Sequence, residues 1–208
     1  MVKREERKEQ ITGYREKQIL DAALAVFSRK GYGEATIPDI AREAGVAVGT
    51  IYNYYQSKRD LLVSLVGTFV VTEPFRELLV QSGKADEKTF FRSLIEDRLN
   101  WGSQNFERFI FVFTEIVRDP ELRQQFADQV LALVLQFPEK YIQGKISSGE
   151  FRRVNSKVIV RALVGTVMGF LLLRQLEGEK SPAKGMPRPK LAAELADFVL
   201  KGLQKRGS

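Results

Sequence analysis

Residues 31–62, GYGEATIPDIAREAGVAVGTIYNYYQSKRDLL, constrain the fold more than any other part of the chain. Apolar residues recur here at three and four, as helices require, but glycines interrupt them too often for one long helix. Just upstream, Ile19, Ala22, Ala23, Val26 and Phe27 form one stripe, widened by Leu20 and Leu24. This predicts a first helix over about 15–30, stopped by Gly31. A second helix opens at Thr36, with Asp39 three residues on as a variant capping box. Its stripe is Ile37, Ile40, Ala41 and Ala44, and Gly45 ends it. A third helix runs from about Ala47 to near Tyr55. Ser57 caps a fourth, again with an acid, Asp60, at the third position.

The third helix divides cleanly on a wheel of about 100° per residue. Val48, Ile51 and Tyr55 fall together and are expected to face the small core. Gly49, Thr50 and Asn53 fall opposite, with Tyr52 and Tyr54 on the flanks. That division suits a helix lying in the major groove of DNA. Gly49 and Thr50 are short enough to let the backbone approach base edges. Asn53 carries the donor and acceptor that match adenine, and the tyrosine hydroxyls can reach phosphates. Thr36 is first a cap, and the helix N-terminus it opens can also hold a phosphate. Lys58 and Arg59 stand in the first turn of the fourth helix, where positive charge opposes the helix dipole. A phosphate nearby would turn that penalty into a binding contribution; without one they are a solvated pair. The alternative is a small helical bundle whose tyrosine-rich segment merely packs.

Composition narrows the chemistry. The 208 residues include no histidine and no cysteine. This excludes Ser-His-Asp and Cys-His sites, His/Cys zinc sites and disulfides. No carboxylate pair stands out, so catalytic residues, metals and cofactors are not expected. The formal charge of +7 suits an anionic partner, but residues 1–60 carry eleven Lys/Arg against nine Asp/Glu, only +2 of it. The motif, not the charge, therefore makes the case for nucleic acid. The N-terminus, MVKREERKEQ, lacks the apolar core of a signal peptide. The longest apolar stretch, 162–173, is closed by Arg161 and Arg174 and is expected to be a buried helix rather than a membrane span. The expected compartment is the cytoplasm.

Past Leu62 the pattern suggests longer helices near 58–80, 86–101, 105–117, 120–146, 156–177 and 189–205, with kinks at Pro74 and Pro138. Residues 177–189 read as an exposed loop. Ala162, Gly165, Thr166 and Gly169 make a small-residue stripe that allows close helix approach. Leu195, Phe198 and Val199 lie on an apolar face of the last helix. If a ligand pocket exists, Trp101, Phe109, Phe113, Met168 and Leu172 are candidate lining residues, since small-ligand sites are mostly apolar.

Residues 15–62 resemble the N-terminal domain of the tetracycline-repressor (TetR) family of bacterial transcription regulators. The resemblance rests on F-x-x-x-G-Y at 27–32, Thr36, D-I-A-x-x-A-G-V at 39–46, G-T-I-Y at 49–52, Tyr54-Tyr55 and S-K-x-x-L-L at 57–62. Two positions depart from the pattern. Ala47 stands where the family often has a serine or threonine that caps the recognition helix and touches phosphate, and Tyr54 stands where it often has histidine.

The resemblance implies an all-α chain. Residues 1–60 would form an arm and a three-helix helix-turn-helix DNA-binding domain, and 61–208 a helical ligand-binding and dimerisation domain. It implies operator contacts from Thr36, Ala47, Gly49, Thr50, Tyr52, Asn53, Tyr54 and Lys58. It also implies a homodimer built on the two stripes, and release from a palindromic operator by a small, largely apolar inducer. Two other classes stay open: a helical DNA-binding or interaction protein without an inducer, and a carboxylate-only enzyme.

Overall fold

The computed structural model describes residues 2–72, 75–78 and 86–205. The chain divides into two compact units, one of residues 1–70 with 112–130, the other of 71–111 with 131–208. Among the described residues the regular elements are helices, and one isolated bridge joins Phe151 and Gln204.

In the first unit, α1 (Val2–Glu34) loses its helical geometry at Gly31, where φ is 79°. Only glycine adopts that value without strain, so the expected stop falls at the expected residue. α2 (Ile37–Ala44) begins at Thr36. The Thr36 hydroxyl accepts from the Asp39 N–H, and the Asp39 carboxylate accepts from the Thr36 N–H, a reciprocal capping box. Gly45, at φ 65°, closes it with its N–H on the Arg42 carbonyl. α3 (Val48–Tyr52) and α4 (Lys58–Val70) follow. The Ser57 hydroxyl accepts from the Asp60 N–H at the start of α4.

The stripes expected on α1 and α2 are buried together with Ile51, Tyr55, Leu61, Leu62, Leu65 and Val66. Residues 61–70 and 112–130 extend this unit beyond the three head helices. From the second of these segments Val112, Ile116, Leu122 and Val130 enter the same core. The Asp119 carboxylate caps α6 (Pro120–Phe126) by accepting from the Glu121 and Leu122 N–H groups.

One helix, α5 (Glu87–Arg118), replaces the two expected at 86–101 and 105–117. Gly102 is not a stop: a Cβ there would collide with the Leu171 side chain, so the glycine admits a close neighbour inside a continuous helix. The run expected at 120–146 is α6, a π-helical turn (Ala127–Leu131) and α7 (Ala132–Ser147), with Pro138 buried inside α7. Pro74 lies outside the described residues.

The second unit buries Phe91, Leu94, Ile95 and Leu99 of α5, Leu135 and Ile142 of α7, and Val160, Leu163, Val167 and Leu171 of α8 (Ser156–Glu177). Leu191, Ala192, Ala196, Leu200 and Leu203 come from α9 (Arg188–Leu203).

The expectation that 162–173 is a buried helix needs correction. α8 is long and apolar enough by composition to cross a membrane, and 28% of its most apolar 18-residue window is buried. Leu163, Val167 and Leu171 turn inward, while Val158, Leu172, Leu173 and Leu176 face out. An apolar residue at every position satisfies both faces of a helix alike, so composition cannot say which face the core takes.

Candidate DNA-binding site and ligand site

Two anchors place the recognition segment. Ile51 and Tyr55 are buried in the head core, and burial raises the Tyr55 phenol to about 12. Val48, expected beside them, is 38% exposed. The wheel assumed one helix to Tyr55, but helical geometry ends at Tyr52. The Tyr54 and Tyr55 N–H groups both bond to the Ile51 carbonyl, so Tyr55 reaches the core from a turn.

Of the residues expected opposite, Gly49 and Asn53 are exposed and Thr50 is half-buried; Tyr52, expected on a flank, is 55% exposed. Tyr54 is half-buried, its ring tilted against Tyr55 with centroids 6.4 Å apart. Ala47 holds the N-cap position of α3 with no side-chain cap, and Thr36 is exposed in its capping box.

Lys58 is placed differently from the expectation. Its Nζ donates to the carbonyls of Tyr32 at 2.8 Å, Gly33 at 3.1 Å and Ala35 at 2.9 Å, and lies 4.5 Å from the Tyr32 ring centroid. The ammonium is turned into the head, over the end of α1.

Sequence spacing also gave no sign of the partners of Arg59. Its Nε donates to Asp119 at 2.7 Å and its Nη1 to Glu121 at 2.7 Å, joining the first turn of α4 to the cap of α6. The cations near α2 are paired as well, Lys30 with Asp39 and Arg29 with Glu43. The Lys30 hydrogen bond, then the Thr36 bonds, hold the Asp39 carboxyl down at about 2.

In the second unit, Trp101 is buried, with its ring edge-on to Phe109 at 5.6 Å. Met168 packs against the core, while Leu172 is exposed. Phe113, in the first unit, is also exposed. The five candidates are therefore divided between the two units, four in the second and Phe113 in the first.

A cleft of about 420 Å³ lies alongside, lined by Gly102, Ser103, Phe106, Leu171, Arg174, Gln175, Gly178, Glu179, Ser181 and Lys184. It follows from the close approach of Gly102 to Leu171 and from the loop after α8, features that no local pattern reveals. Arg98 was missed too: its guanidinium stacks 4.0 Å from the Phe75 centroid and bonds to Asp97, and burial lowers its pKa from the usual value. Of the interface candidates, Ala162, Gly165 and Phe198 are exposed. Thr166, Gly169, Leu195 and Val199 are half-buried.

The family described as bacterial regulatory proteins, tetR family, matches residues 19–65, the segment just described. The fatty acid metabolism regulator protein of Bacillus subtilis (strain 168) is 31% identical over 161 residues, covering 72% of this chain and 78% of its own length. The chain belongs to the TetR family. By that membership it is a DNA-binding transcription regulator.

Two further likenesses divide this TetR-family chain by region. The HTH-type transcriptional repressor KstR of Mycolicibacterium smegmatis is 51% identical, but over 53 residues, 26% of each chain. The transcriptional regulator FadR from Bacillus subtilis, solved in complex with stearoyl-CoA, shares the fold at a TM-score of 0.65 and 24% identity, covering 89% of this chain and 98% of that one.

Proposed function

We propose that this regulator binds a palindromic operator as a homodimer and is released by a long-chain acyl-CoA thioester. Residues 1–60 supply the DNA-binding domain and 61–208 the ligand-binding and dimerisation domain. The observation that carries the first part is the exposed polar surface of α3, held from behind by Ile51 and Tyr55. In this reading Thr50 and Asn53 meet base edges. Thr36, Tyr52 and Tyr54 meet phosphates, and the backbone at Ala47 and Gly49 approaches the strand. Two copies of α3 then stand about one DNA turn apart, roughly 34–36 Å.

The dimer is supported by the exposed apolar face of α8 around Ala162, Gly165, Thr166 and Gly169, and by Leu195, Phe198 and Val199 of α9. A second copy covers that face in the cytoplasm, where the operator lies.

The ligand class rests on the Bacillus subtilis relative, named for fatty acid metabolism, and on the neighbour that binds stearoyl-CoA. The cleft of the second unit supports this reading: Phe106 and Leu171 offer apolar surface and Arg174 positive charge, while Lys184 is paired with Glu179 of the same lining. Of the other candidates in that unit, Trp101 is buried and Met168 packs against the core.

The test is fluorescence anisotropy on DNA flanking the chain's own gene, titrated with stearoyl-CoA, stearate and CoA. Release by stearoyl-CoA and not by CoA supports the assignment, and an unchanged complex across acyl-CoA chain lengths removes it. On the same DNA, Asn53→Ala should relax preference at one base pair by about 1–3 kcal/mol. Equal losses on operator and random DNA would make Asn53 a positioning residue instead.

A further inference from the structure

We infer that Lys58 acts in DNA binding as a positioning residue, locking the corner that presents Thr36 and α2, and not as a phosphate contact. The inference rests on the operator-binding role of the head.

A lysine ammonium has three N–H donors and no more. Here three carbonyls, of Tyr32, Gly33 and Ala35, stand at 2.8–3.1 Å from Nζ and use all three. The Tyr32 ring, edge-on to Phe27 at 5.4 Å in the head core, covers a further side of the cation at 4.5 Å. A phosphate could be bound only by giving up one of these carbonyls.

The three acceptors belong to the four residues that follow the break at Gly31. These carbonyls lie in the short turn after the break, where the chain leaves α1, and a side chain satisfies them. The positive charge sits against the carbonyl dipoles of that turn. The residue after Ala35 is Thr36, the cap of α2, so the ammonium fixes the path of the chain into the helix that precedes the recognition segment. The hydrogen bonds come from 23 to 26 residues away and join the first residue of α4 to the corner between α1 and α2. All the elements concerned lie in one compact unit.

The ammonium group of the wild-type protein is followed by NMR, free and with a duplex from the DNA flanking its own gene. Three acceptors slow exchange, so a Lys58 ammonium signal is expected in the free protein and should keep its shift on the DNA. Its absence from the free protein, or a through-bond coupling to phosphorus in the complex, overturns the proposal. The free-protein arm decides the contact even if the duplex is not bound, which separates this inference from the operator assignment.

Salt titrations of Lys58→Met and Lys58→Arg add the functional arm. A positioning role predicts an operator affinity about tenfold lower for Lys58→Met at unchanged salt slope. It also predicts no rescue by Lys58→Arg, whose planar fork cannot aim three protons at converging carbonyls. A slope lower by about one unit, restored by arginine, is the signature of a lost phosphate contact and overturns it. If Lys58→Met does not fold, the arginine variant and the wild-type ammonium signal still decide.

Discussion

In the first unit, most helix ends around the recognition segment are closed from within the unit, the start of α3 at Ala47 excepted. Thr36 and Asp39 cap each other, Gly45 turns back onto α2, Lys58 takes the carbonyls after α1, and Arg59 grips the cap of α6. In the second unit the apolar side chains outnumber the places to bury them: Leu176 is 74% exposed and Phe198 70%. The contrast separates two ways of meeting a partner. A head whose corners are held by such bonds offers DNA a preset shape and gives up little order on binding. An apolar face in water gains from being covered, which is what the proposed second copy would do for the second unit.

The largest blow to this contrast is Phe27→Ala. The side chain is 2% exposed, and its loss should cost the head about 3–5 kcal/mol, read by urea unfolding. A loss under about 1 kcal/mol would mean the head is far less rigidly packed than its burial implies.

Phe198→Asp tests the other side. It should weaken self-association by about 2–4 kcal/mol in sedimentation while leaving the helical spectrum unchanged, as removal of an interface anchor does. A dimer of undiminished stability would show that α9 is covered by something else.

Ala47→Ser asks whether the head is capped everywhere it can be. Ala47 makes no side-chain cap, so serine should add about 1 kcal/mol of stability. No gain would mean the turn before α3 cannot turn a hydroxyl toward the N–H groups.

The smallest effect concerns pH. Asp39 is held at about 2 in the fold against an ordinary 3.8, so the folded state favours its ionised form. Its contribution is complete above the ordinary value and is lost as pH falls from 3.8 through about 2. The stability gap between wild type and Asp39→Asn should close over that window, measured by unfolding at stepped pH. A gap independent of pH would remove Asp39 from the capping network.

Much of the head was legible because its signals act within one helical turn. Thr36 with Asp39, Ser57 with Asp60, Gly31 and Gly45, and the Ile37–Ile40–Ala41–Ala44 stripe need only residues three or four apart. The same reasoning misplaced Val48, because a wheel assumes that helical geometry continues and α3 ends at Tyr52. It divided 87–118 into two helices, because the Leu171 side chain that packs against Gly102 lies on another helix.

The sequence by itself therefore determined the helical class, the short capped helices of the head, the side of α3 that carries Gly49, Thr50 and Asn53, and membership of the TetR family. Spacing and capping are local, and a few residues contain all the atoms involved. The tertiary structure alone decided where the Lys58 ammonium turns, which acids Arg59 meets 60 and 62 residues away, and which side of α8 stays in water. Each of these depends on the partner that packing brings within about 3 Å, and a hydrogen bond is lost over a displacement far smaller than any periodicity resolves.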